Sequence, residues 1–216
     1  GKKQLAPNVL LLGWVSLLTD VSSRMTLPIL PLFLADTLGS RGKVIGIIEG
    51  LGVGVSWILK LFAGWLSDRW GQRKPFILWG YLLSNLAKPL LAFVTHWSHA
   101  LLLRSGDKFG SGLRDAPRDV LIADSAGGKT LGRAFGYQKF MDKVGALLGT
   151  ALAFALLAST SETNYRPIFL LSVIPGLAGA ALVLRLQEPL PVSSATKYPL
   201  VLSLKGFDRR LQHLLL

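Results

Sequence analysis

The chain has 216 residues, half of them hydrophobic and 17% charged, with a mean hydropathy of +0.45, which is too apolar for an ordinary soluble domain. The formal net charge is +12. In a soluble protein that would raise nucleic acid as a partner, but here the basic residues fall between apolar segments, which points to membrane orientation and anionic lipid and away from nucleic acid. Cysteine is absent, which excludes a disulfide framework and a thiolate metal site, and His96, His99 and His213 show no metal-ligand pattern.

A bilayer core of about 30 Å takes roughly 20 apolar residues as helix. Six segments meet that length: about Val9–Ala35, Val44–Leu66, Pro75–Thr95, Ser98–Val120, Ala134–Ala158 and Pro167–Leu186. The fold class expected is therefore all-α and polytopic, with connections at 36–43, 67–74, 96–97, 121–133 and 159–166. The first apolar run is too long and too charged for a signal-peptide core, and an opening of Gly-Lys-Lys reads as a trimmed start.

Charges within such segments are expensive and face a cavity or a partner, so they are the candidate site residues. In segment 1, Asp20 lies roughly 16 Å in from Val9, near mid-membrane. Arg24 follows at i+4 on the same face, where the pair either serves function or is a neutralised pair that fixes packing. In segment 2, Glu49 and Lys60 share a face; Glu49 is near one end, and Lys60 can snorkel. Gly46, Gly50 and Gly54 make a smooth stripe for close helix approach.

The turn that follows reads Gly64-Trp-Leu-Ser-Asp68-Arg69-Trp-Gly71-Gln-Arg73-Lys74-Pro75. Segment 3 carries Lys88-Pro89, with the lysine expected to snorkel to the nearer interface. Segment 4 is the least apolar. Arg104 and Asp107 are spaced to pair at i,i+3; Arg114, Asp115, Arg118, Asp119 and Asp124 lie towards its far end and suit a gate better than a substrate, with Pro117 able to bend the helix. Segment 5 opens near Asp142 and Lys143 and holds Gly145-Ala-Leu-Leu-Gly149-Thr150; Asp142 is a cavity candidate. After Leu186 comes an exit loop, then an amphipathic stretch over Leu200–Leu216 that suits an interfacial helix or the approach to a seventh segment.

Orientation follows from Lys and Arg. With the N-terminus inside, the cytoplasmic side holds Lys2, Lys3, Arg69, Arg73, Lys74, Lys129, Arg133 and the tail, against Arg41, Lys43 and Arg166 outside. That places both termini in the cytoplasm of a multi-pass protein of the cell (inner) membrane.

The turn, with Gly64, Asp68, Arg69, Gly71, Arg73 and Lys74 in register, resembles the G-x-x-x-D-R-x-G-R-R/K loop of the major facilitator superfamily (MFS). The resemblance covers the N-terminal six-helix half of that fold, residues 1–186, with 187–216 as the linker between halves. It implies a fragment of a longer chain, or a half that works with a second chain. It also implies secondary transport by alternating access, with substrate bound between halves. Leu18-Thr-Asp-Val-Ser-Ser-Arg24-Met is similar to a first-helix signature of a bacterial MFS subgroup, with arginine where an acid is expected. Segment 5 is a half match to the family's antiporter motif G-x-x-x-G-P-x-x-G-G.

On this reading Asp20 is the proton or substrate carboxylate, with Arg24, Arg104, Asp107, Glu49 and Asp142 around it. Asp68, Arg73 and Asp119 form a cytoplasmic gate with the loop glycines, and Asp124 is the other acid that would serve. The expected function is proton-coupled export of a small molecule. The alternative is a non-transporting six-helix subunit that anchors a complex. No Ser/His/Asp, His-cluster or paired-acid constellation points to an enzyme, and no phosphate-binding G-x-x-x-x-G-K-S/T loop points to a nucleotide cofactor.

Overall fold

The computed structural model describes residues 5–40, 42–128, 130–159 and 164–187. The amphipathic stretch expected at Leu200–Leu216, and Lys2, Lys3, Arg41 and Lys129 from the orientation argument, lie outside them. Described residues form α1 (Pro7–Thr26), α2 (Ile29–Leu32), a π-helical turn (Phe33–Thr37), α3 (Gly42–Trp70), α4 (Lys74–Leu90), a 3-10 turn (Leu91–Phe93), α5 (Trp97–Ala126), α6 (Leu131–Ser159), α7 (Arg166–Leu171) and α8 (Val173–Val183). There is no strand among them. The fold is all-α and polytopic.

Five spans are long and apolar enough to cross a membrane: Pro7–Thr37, Gly42–Trp70, Lys74–Phe93, Leu131–Ser159 and Arg166–Val183. The remaining segment, segment 4, is α5, about 45 Å long at the usual helical rise. It fails on hydropathy because one face is charged.

Two expected spans are broken. Segment 1 ends its first helix at Thr26, because Pro28 has no N–H to donate and its ring crowds the carbonyl one turn back. Segment 6 divides at Ser172, one turn before Pro175. A third boundary also moves. The connection expected at 121–133 is helical as far as Ala126, and the turn is confined to the residues around Gly127, whose φ of 66° only glycine adopts freely. Gly71, at φ 65°, ends α3 in the same way and donates its N–H to the Ser67 carbonyl at 3.0 Å.

The helices pair in a pattern that repeats. α1 lies along α6 and α8; α5 lies along α3 and α4; and α4 meets α8. Exchanging the first three spans for the last three leaves this list unchanged, as in a bundle of two three-helix repeats. Close approach is built from small residues. A Cβ on Gly149 would stand 2.5 Å from the Val21 carbonyl of α1, and one on Gly112 would stand 2.6 Å from the Ser56 carbonyl of α3. The stripe Gly46, Gly50, Gly54 makes no such approach: added Cβ atoms there meet nothing within 4 Å among described residues.

Apolar side chains cluster towards the two ends of the bundle. One cluster gathers Phe33, Ile48, Tyr165 and Phe169; the other gathers Leu12, Ile77, Tyr81, Ile122 and Val183. Trp57, Leu61, Trp79, Phe93, Leu147 and Ile174 are exposed on the outside, as expected where the surroundings are lipid.

Candidate functional site

Polar residues of α1 recur at Ser16, Thr19, Asp20, Ser23 and Arg24, the spacing of one helical face. On α5, Arg104, Asp107, Lys108, Ser111, Arg114, Asp115 and Arg118 do the same. The two faces meet across a cavity of about 350 Å³, completed by Leu27, Ser56 of α3, Tyr81 of α4, and Lys139 and Asp142 of α6. Asp20, Arg24, Arg104, Asp107 and Asp142, all site candidates from sequence, line this one cavity.

Glu49 is not in that lining. It takes two hydrogen bonds from Arg104, from Nε at 2.9 Å and from Nη2 at 3.0 Å. Arg104 also donates to Asp107 at 2.7 Å, completing the i,i+3 pair. Asp107 in turn accepts from the Ser84 hydroxyl at 2.6 Å and lies 3.9 Å from Lys88 Nζ. Lys88 itself is 2% exposed and donates to Asn85 at 2.8 Å, while Asn85 donates to the Gly176 carbonyl of α8 at 2.8 Å. The expectation that Lys88 snorkels outwards is therefore wrong. The Asp107 carboxylate of α5 and the Asn85 amide one turn back on α4 both receive the ammonium, so the cation turns inwards.

Asp20 and Arg24 do not form a neutralised pair. No cation lies within 4.0 Å of Asp20 among the described residues, although it feels the charges of Asp142, Arg114, Arg24 and Arg118. Asp142 is held by Gln138 at 3.0 Å and Lys139 at 3.5 Å. Arg114 and Arg118, expected at a gate, line the cavity and are buried. Arg118 pairs with Asp115 at 3.7 Å and Asp119 at 3.1 Å. Arg114 lies 4.3 Å above the Tyr81 ring.

At the end of the bundle that carries the Gly71 turn, Arg73 makes an ion pair with Asp124 of α5 and lies 3.7 Å from Asp68. This joins the α3–α4 turn to α5. Gly64 allows contact there, since a Cβ would meet that of Ala116 at 3.2 Å. Arg69 lies over the Trp65 ring at 5.4 Å. Asp119 does not join the cluster; it faces Lys60 at 4.0 Å and Arg118. Lys74 instead donates to the carbonyls of Leu184 and Leu186 at 2.7 and 2.8 Å, closing the end of α8.

Residues 12–210 match the sequence profile of the Major Facilitator Superfamily. The chain belongs to that superfamily. It is 35% identical over 210 residues to an uncharacterized MFS-type transporter of Methanocaldococcus jannaschii, a match covering 97% of this chain and 52% of that protein. It is 32% identical over 183 residues to an uncharacterized protein of Mycobacterium tuberculosis, covering 85% and 44%. To multidrug resistance protein MdtH of Photorhabdus laumondii it is 29% identical over 146 residues, covering 66% and 35%. The chain thus spans about half the length of the curated relatives it matches. Membership in that superfamily and the long apolar helices together make it a multi-pass membrane protein.

In this MFS half the sequence reading passes over Thr19, Tyr81 and Arg114 as cavity residues. The signal for the first and last is the spacing of polar residues every three or four positions in α1 and α5. Tyr81 carries no such signal, because its face of α4 is chosen only when the helices pack.

Proposed function

We propose that this chain is the N-terminal half of a secondary transporter that works by alternating access and couples export of a small molecule to protons. The observation that carries the proposal is the charged cavity between α1 and α5 in a bundle whose outer surface exposes apolar side chains. Charges retained at such depth mark substrate and ion pathways. Asp20 is the coupling group: it is the cavity carboxylate left without an ion pair or hydrogen bond among the described residues, so it is free to take up and release a proton. Arg24, Arg104, Asp107 and Asp142 shape the site, and Glu49 holds Arg104.

Asp68, Arg73 and Asp124 form the cytoplasmic gate, with Gly64, Gly71, Arg69 and Lys74 shaping the turn and Asp119 beside it. Both termini lie in the cytoplasm, supported by the Lys/Arg asymmetry. A second six-helix half completes the cavity, and residues 187–216 link to it. Similarity to a multidrug resistance protein supports export, and the partial antiporter motif of α6 supports proton antiport.

The test is proton-driven flux in proteoliposomes of the whole carrier. Asp20→Asn is expected to abolish movement driven by a pH gradient while retaining substrate exchange at equal pH. An unchanged response to the gradient removes Asp20 from the role and passes it to Asp107. Absence of flux in the unaltered carrier favours the non-transporting subunit.

A further inference from the structure

We propose that the cavity is built for an anionic group: Arg24, Lys108 and Arg114 form a site for the carboxylate or phosphate end of a small organic substrate. This inference rests on the transport reading above and supplies its substrate class.

Composition alone does not choose the substrate, because the cavity lining holds both acids and bases. Pairing does choose. Among the cavity cations, Arg104 is held by Glu49 and Asp107, Arg118 by Asp115 and Asp119, and Lys139 by Asp142. Arg24, Lys108 and Arg114 line the same cavity with no carboxylate within 4.0 Å among the described residues. Against these three free cations stands one free carboxylate, Asp20.

Arg114 gives the second, independent observation. It is 7% exposed and stacks on the Tyr81 ring, yet its hydrogen bonding is one long bond from Nη1 to the Gly80 carbonyl at 3.4 Å, and its Nε has no partner. A buried guanidinium without a counter-charge is costly, and a bound anion supplies the missing partner. Its planar fork suits two oxygens of one carboxylate or phosphate. Tyr81 and Thr19, residues each 1% exposed, line the cavity with hydroxyls that have no partner and serve as further donors. A cationic substrate would find Asp20 alone and three opposing charges. A neutral one would leave Arg114 unpaired. An inside-negative membrane potential also drives an anion outwards, the direction proposed for transport.

The experiment is equilibrium dialysis of the purified whole carrier with radiolabelled benzoate, phenyl phosphate, benzamide and benzylamine. The first two distinguish carboxylate from phosphate. At least one anion is expected to bind saturably, about tenfold or more tighter than the amide or the amine. Arg24→Gln and Lys108→Gln are each expected to weaken the anion by about tenfold, and Arg114→Lys to retain more binding than Arg114→Gln. Should Arg114→Gln fail to fold, the other two carry the test, since Arg24 is exposed to the cavity and Lys108 is only half-buried.

The proposal is overturned if benzylamine binds more tightly than both anions, if neither anion binds saturably, or if the substitutions leave anion binding unchanged. If an anion binds in the expected pattern but is not carried across proteoliposome membranes, the transport reading falls and the anion site stands.

Discussion

Lys88, Asp107, Arg104 and Glu49 form a chain of alternating charge that runs from α4 through α5 to α3. Asp107 is its hinge, because Lys88 and Arg104 both lean on one carboxylate. Lys88 and Asp107 have side chains only 2% and 9% exposed, so water does little to compensate for a lost partner. Asp107→Asn would leave two buried cations facing each other. The expected cost is about 3 kcal/mol or more, the range for removing one member of a buried pair. Glu49, whose side chain is 39% exposed, is expected to cost less when changed to Gln. Apparent melting temperature in detergent measures both, and equal losses would argue against a buried hinge at Asp107. The pairing at i,i+3 on α5 is legible from spacing alone. Lys88 is not, because its partner comes from another helix, and the snorkelling argument looks only along its own.

Helix pairs show a similar division between what spacing reveals and what only packing reveals. The extents of α3 and α6 follow directly from long apolar runs ended by charge or glycine. The breaks after Thr26 and at Ser172 follow from Pro28 and Pro175, though an apolar window reads across both. The glycines divide differently. Gly145 and Gly149 resemble half of an antiporter motif, and in the bundle they seat α6 against the α1 backbone beside Leu17 and Val21. Gly149→Leu is expected to cost about 1–3 kcal/mol by overpacking, whereas Gly136→Ala, with nothing within 4 Å of the added Cβ, should hold or slightly raise the melting temperature, since alanine favours a helix interior over glycine. Equal loss from both would deny the close approach. The stripe on α3 looks equivalent in sequence yet packs on none of the described helices, since periodicity identifies a smooth face without naming its neighbour.

The proposed gate is a contact between elements, because Arg73 joins the α3–α4 turn to the end of α5. Asp124→Asn should therefore open the α3–α5 contact more than Asp68→Asn, as Asp68 is the more exposed acid with the longer contact. Maleimide labelling of Gly128→Cys, at the same end of the bundle, should accelerate in the first variant and change little in the second. The reverse order would place the lock on Asp68. Sequence alone favours Asp119, but five residues, more than one helical turn, separate its direction from that of Asp124, and Asp124 is the acid that meets Arg73.

For the whole molecule, the exchange symmetry of helix contacts places α1 and α5 as equivalent partners, and their polar faces enclose the cavity. That geometry was half legible: the inward charges were visible as charges, but which of them pair and which stay free depends on the packing of five helices. Alternating access requires that this one cavity open to each side in turn. Ser23 lines it, and the chain carries no cysteine, so a Ser23→Cys label in a cysteine-free form of the whole carrier reports on it. The decisive measurement is the reaction of this cysteine with a membrane-impermeant maleimide in right-side-out and in inside-out vesicles. The account predicts labelling from both sides, with Asp124→Asn raising the rate from the cytoplasmic side and lowering it from the outside. Labelling confined to one side in every variant would contradict alternating access and leave a static membrane subunit.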